Sequence, residues 1–139
     1  MSLVYADIEL INADDLALVR RGHLKAGDVR KIKVTSLVDS GAYMLAVNED
    51  VKNQLDLPVI DQQFAELADG SQIEVDVVGP VEVRFENRRV TADAMVLPGT
   101  GEILLGCIPM EGMDVVIDPK QQKLLVNPKT PYKPKLSLK

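Results

Sequence analysis

An all-β domain is what this sequence predicts, and three observations carry the prediction. Apolar residues recur at every second position through Ile73/Val75/Val77, Val81/Val83/Phe85 and Val90/Ala92/Ala94/Val96, the period of a pleated strand. Turn chemistry separates these runs, with Asp69-Gly70 between two of them and Glu86-Asn87-Arg88 between the next pair. Strand and helix signals never alternate, which argues against a doubly wound parallel sheet.

In chain order, Leu3 to Ile11 reads as a first strand, and the polar run Asn12-Ala13-Asp14-Asp15 as a turn. Leu16 to Asp28 fits either a short helix or an irregular excursion. Arg20-Arg21-Gly22-His23 and Ala26-Gly27-Asp28 tilt it toward a loop. Val29 to Val38 resumes as a strand rich in β-branched residues. Asn48 to Leu57 carries the helix signals, with Asn48 as N-cap, Glu49 and Asp50 in the first turn, Val51 and Leu55 at i and i+4, and Pro58 beyond the end. Gln62 to Ala68, Ile73 to Val78, Val81 to Phe85 and Val90 to Val96 form a meander of strands, with Gly79-Pro80 as a bulge or sharp bend. Glu102 to Leu105 reads as a further strand, and Asp114 to Ile117 with Lys123 to Val126 as a last hairpin. Residues 1–128 are therefore expected to form one domain, followed by a flexible tail at 129–139 with four lysines and no acid.

Composition narrows the function classes. Sixteen Lys and Arg against twenty-one Asp and Glu give a formal charge of −5, which would repel a phosphate backbone, so no nucleic-acid partner is expected. No apolar run approaches the roughly 18 residues of a membrane span, and no membrane partner is expected. The first residues lack a basic start followed by an apolar stretch, so a cytoplasmic location is expected. One cysteine, Cys107, and one histidine, His23, allow neither an intrachain disulfide nor a four-ligand zinc site. Neither metal nor cofactor is expected. His23 lies in an arginine-flanked loop with no nucleophile-elbow pattern, and Cys107 reads as a small apolar residue with no basic neighbour to activate it.

The stretch that carries chemistry is Thr35-Ser36-Leu37-Val38-Asp39-Ser40-Gly41-Ala42. An acid directly after an apolar strand must be hydrogen-bonded or protonated, and the small residues behind it let the backbone turn tightly. The same four residues would also close an ordinary strand as an Asx turn. Downstream, beyond the meander, lies Glu102-Ile103-Leu104-Leu105-Gly106.

Taken together, the two segments resemble the retropepsin-like aspartic proteases, in their small bacterial form, over about Val29 to Pro128. In that family an Asp-Thr/Ser-Gly-Ala loop bears the catalytic acid, a flap hairpin follows, and an apolar-apolar-Gly strand passes behind the loop before a short helix. Asp39-Ser40-Gly41-Ala42, Asp69-Gly70-Ser71 and Leu104-Leu105-Gly106 occupy those places in that order. The resemblance implies a closed β-barrel with one short helix after the Asp-Ser-Gly loop, Asp39 as catalytic acid, and a hydroxyl at Ser40 that ties two loops across a two-fold axis. The chemistry needs two carboxylates sharing a proton, because like charges about 3 Å apart cannot both ionise. This chain has one Asp-Ser-Gly, so the resemblance implies a homodimer acting on a peptide or protein substrate. Tyr43 and the single glycine of the flap prompt the alternative: a catalytically silent dimerisation or peptide-binding module on the same fold.

Overall fold

The computed structural model describes residues 3–99 and 101–138, so Met1, Ser2, Thr100 and Lys139 of the expected domain and tail lie outside the described residues. The strands are β1 (Tyr5–Asn12), β2 (Lys31–Val38), β3 (Leu45–Val47), β4 (Val59–Glu66), β5 (Gln72–Phe85), β6 (Arg88–Val96), β7 (Ile103–Leu105), β8 (Val115–Asp118) and β9 (Lys123–Val126). The helices are α1 (Ala13–Arg20), α2 (Glu49–Leu55) and α3 (Cys107–Met113). The main sheet runs β1-β2-β7-β3-β6-β5-β4, and β5 also pairs with β1. That last pairing closes six strands into a barrel, as the retropepsin-like reading expected, and leaves β4 as an extra strand on the outer edge of β5.

Closure depends on β5. Its first half pairs with β4, and its second half, from Val81, pairs with β1. The β5–β6 register shifts between Val78 and Val81, around the cis Gly79–Pro80 bond, where the sequence suggested a bulge or bend. A Cβ at Gly79 would lie 2.8 Å from Asp93 Oδ1, so β6 crosses there only because no side chain intervenes. The alternation seen in the sequence then sorts the side chains. Val78, Val81, Val83, Ala94, Leu45 and Leu105 are fully buried inside the barrel. Each such Val or Leu contributes about 1.5–3 kcal/mol relative to its exposed state.

The helices depart from the single helix expected. Asn12 to Asp15 is the start of α1 rather than a turn: Asn12 Oδ1 accepts the Asp15 N–H at 3.1 Å, and Asp14, Asp15 and Arg20 complement the helix dipole. Asn12 Nδ2 also donates to Leu55 O at 2.8 Å, so one side chain joins the start of α1 to the end of α2. Beyond Arg20 the chain is irregular except for one 3₁₀ turn at Ala26–Asp28. In α2, Asn48 caps Val51 N–H at 2.9 Å as expected, but the helix stops at Leu55 because Asp56 turns left-handed at φ +49°. Strand β4 begins at Val59, ahead of the expected Gln62, and β5 is one strand rather than two.

Part of the tail is hydrogen-bonded to Asp114 at the end of α3 and to Arg88 of β6. Asp114 Oδ2 accepts Thr130 Oγ1 at 2.7 Å and the Lys135 N–H at 2.9 Å, and Asp114 Oδ1 accepts Asn127 Nδ2 at 3.0 Å. Led by the Asn127 hydrogen bond, these contacts hold the Asp114 carboxyl down at about 2. Buried Arg88 donates to Thr130 O. Among the described residues, no helix is long and apolar enough to cross a membrane.

Candidate active site

Strand β7 is three residues long and lies between two others. It runs parallel to β2, with Val38 opposite Leu105, and antiparallel to β3, with Ala46 opposite Leu104. The chain leaves β2 beside it: the Asp39 N–H donates to Leu105 O at 3.0 Å, extending the ladder by one bond into the Asp-Ser-Gly segment. A tight turn follows, in which the Ala42 N–H donates to Asp39 O at 3.1 Å and the Gly41 N–H donates to Asp39 Oδ1 at 3.0 Å. The carboxyl is thereby oriented by its own loop. The far side of the turn is held by the start of α3, where the N–H groups of Cys107 and Ile108 donate to the carbonyls of Ala42 and Tyr43 at 2.9 and 3.0 Å.

Gly106 makes that clasp possible. A Cβ there would lie 2.8 Å from Ala42 O and nearer still to Met44 O, so any side chain would drive β7 away from the loop. Leu104 and Leu105 precede it on opposite faces of β7, Leu105 inside the barrel and Leu104 in the wall of a groove. Cys107 is half-buried with its Sγ 3.7 Å from Tyr43 O, consistent with a packing role.

Asp39 is half-buried, while Ser40 and Gly41 are exposed. Two grooves meet at Asp39. One, of about 670 Å³, runs under the β4–β5 hairpin and is lined by Gly41, Ala42, Tyr43, Met44, Phe64, Glu66, Met95, Leu97 and Leu104 as well as Asp39. The other, of about 560 Å³, lies on the Ser40 side between Leu3, Val4, Leu37 and the Ile117–Gln122 end of the β8–β9 hairpin.

Asp69, Gly70 and Ser71 form the tip of the β4–β5 hairpin and line neither groove. The tip closes on itself: Leu67 N–H donates to Ser71 O at 2.8 Å, and Gly70 takes φ +86°. Asp69 Oδ1 accepts the Ser71 hydroxyl at 2.5 Å and the Ser71 N–H at 2.9 Å; these bonds, the hydroxyl first, hold its carboxyl below the ordinary range. Asp69 is thus engaged in the turn and lines neither of the grooves that reach Asp39. Sequence reasoning missed the groove walls Met44, Phe64, Met95 and Leu97, and only Phe64, an aromatic among polar residues of a short strand, offered a signal.

A closed six-stranded barrel, with an Asp-Ser-Gly-Ala loop leaving one strand, a Leu-Leu-Gly strand bracing it and a hairpin above, defines the retropepsin-like class. A family profile described as aspartyl protease matches residues 25–107, from before β2 to the start of α3, and the chain belongs to that family. None of the curated proteins matches it.

Proposed function

We propose that the protein is a homodimeric aspartic endopeptidase in which the Asp39 carboxyls of two chains share one proton. The observation that carries this reading is the position of Asp39: half-buried, oriented by the Gly41 N–H, and placed where the two grooves meet. In the proposed dimer the groove under the hairpin takes the substrate, and the one on the Ser40 side receives the symmetry mate. Leu3, 59% exposed at its edge, then becomes covered. One carboxylate takes a proton from water as the oxygen attacks the scissile carbonyl, while the other carboxyl hydrogen-bonds the carbonyl oxygen. The tetrahedral adduct collapses with cleavage of the C–N bond, and the departing amine takes a proton from the pair.

The test is Asp39→Asn, assayed by peptide-library digestion and by solution mass. The expected result is a dimer of parental stability whose cleavage has fallen at least about a thousandfold. Parental cleavage by the variant, or a parent that stays monomeric while active, overturns the reading.

A further inference from the structure

Phe64 is 70% exposed although it lines the groove beside Asp39. On β4 it shares a face with Gln62 and Glu66, and the register places Glu74 directly across from it and Asp76 across from Gln62. Cross-strand and i, i+2 neighbours on one face stand within about 5–8 Å, so Glu66, Glu74 and Asp76 share the ring's face of the hairpin; of these Glu66 lines the groove, and Asp76 accepts Gln62 Nε2 at 3.0 Å. No compensating base is near in sequence. From Asn53 to Val83 the chain holds seven acids and no Lys, Arg or His. Two of these are in ion pairs, Asp56 with Arg30, and Glu82 with Arg84 and Arg89; among the described residues Asp61, Glu66, Asp69, Glu74 and Asp76 are in none.

A water-exposed ring and a set of mutually repelling carboxylates are both relieved by the same kind of group: a cation on a long apolar stem. Its charge meets Glu66 and Glu74, its stem covers the ring, and its positive head is attracted to the ring face. Among the described residues strand β4 pairs only with β5, so its outer edge presents main-chain groups to an extended partner. The walls Tyr43, Met44, Met95 and Leu97 make the rest of the groove apolar. We propose that this groove selects extended peptides carrying a Lys or Arg that seats over Phe64 between Glu66 and Glu74, next to an apolar segment that lies along Met44 and Met95. The substrate assignment rests on the peptidase reading above, whereas the binding preference does not.

The probes are two octapeptides with the same Val-Leu-Phe-Ala centre, one flanked by lysine pairs and the other by glutamate pairs. Cleavage by the parent is followed by chromatography, and binding to Asp39→Asn protein by fluorescence anisotropy, each at low and high salt. The expected result is about a tenfold preference for the lysine peptide at low salt, shrinking as salt rises. Glu66→Lys/Glu74→Lys reverses the preference; should that protein fail to fold, Glu66→Gln/Glu74→Gln abolishes it instead. Phe64→Ala weakens the lysine peptide selectively. Equal cleavage of the two peptides, or a lysine preference unchanged in the charge variants, overturns the proposal and leaves the peptidase reading in place. Selective binding of the lysine peptide without cleavage by the parent upholds the proposal and overturns the peptidase reading. Absence of both cleavage and selective binding overturns the proposal.

Discussion

The floor and the roof of the groove are built on opposite terms. The floor, from Val38 through Tyr43, is bonded through its main chain to β7 on one side and to the start of α3 on the other, with Leu105 fully buried beneath it. The roof is β4 and the first half of β5. Six consecutive residues, Val59 to Phe64, are exposed, and β4 has one pairing partner. Opening free energy follows buried apolar contact and protected hydrogen bonds, so the roof opens at far lower cost than the floor. A site that must orient a carboxyl yet admit a chain needs both. In the peptidase reading proposed above, the reacting carboxyl sits on the better-braced part and the peptide-selecting contacts on the less-braced one.

The contrast is sharpest in two glycines. Gly106→Ala forces a methyl against the carbonyls of Ala42 and Met44 and is expected to cost about 3 kcal/mol, measured by urea denaturation. Gly70→Ala at the hairpin tip meets nothing within 4 Å and bears only the strain of φ +86°, about 1 kcal/mol. Equal losses would break the comparison. Among side chains, Leu105→Ala empties a site with 0% exposure and is expected to cost about 3 kcal/mol. Phe64→Ala changes stability by no more than about 0.5 kcal/mol while altering peptide binding. Hydrogen exchange supplies a direct reading: the Asp39 and Cys107 amides are expected to exchange orders of magnitude more slowly than those of β4 that face away from β5.

The smallest effect lies outside both regions. The Asp114 carboxyl is held at about 2 against an ordinary 3.8, so its contribution is complete above about pH 4 and is lost as pH falls toward 2. Acid titration should therefore loosen residues 127–135, followed by NMR, and Asp114→Asn should remove that pH dependence without altering the groove. Glu82 behaves similarly but within the barrel wall. Burial pushes its carboxyl up, hydrogen bonds from Arg89 and Arg84 outweigh this, and the net lowering makes it a second group whose support fades with acid.

Much of this was legible in the sequence because a half-buried strand must alternate. Val81/Val83/Phe85 and Val90/Ala92/Ala94/Val96 declare both their strands and their inward face, and Asn48 declares a helix start through its side-chain oxygen. Asp39 could be singled out because an acid, a hydroxyl and two small residues directly follow an apolar strand. Helix α1 was only half legible, Leu16 onward fitting a short helix or an irregular excursion, because Ala13-Asp14-Asp15-Leu16-Ala17-Leu18-Val19-Arg20 lacks a clean apolar stripe and its only buried residue is Asp15. Its one signal was Asn12, whose polar run reads equally as a turn or as a cap. Strand β3 was hidden because Leu45, Ala46 and Val47 are all buried, which erases alternation in three residues. The groove walls were hidden because Met44, Met95 and Leu97 come together only once the barrel closes.

Strand β7 sets the order in which competence arises. Its partner β2 is complete by Val38, but the segment that braces the loop begins only at Ile103, so a ribosome must deliver almost the whole barrel before Asp39 can be held. Until then the emerging acid has only its own turn, through the Gly41 N–H, to orient it. The clasp on the Asp39 loop is therefore among the last main-chain contacts of the barrel to form.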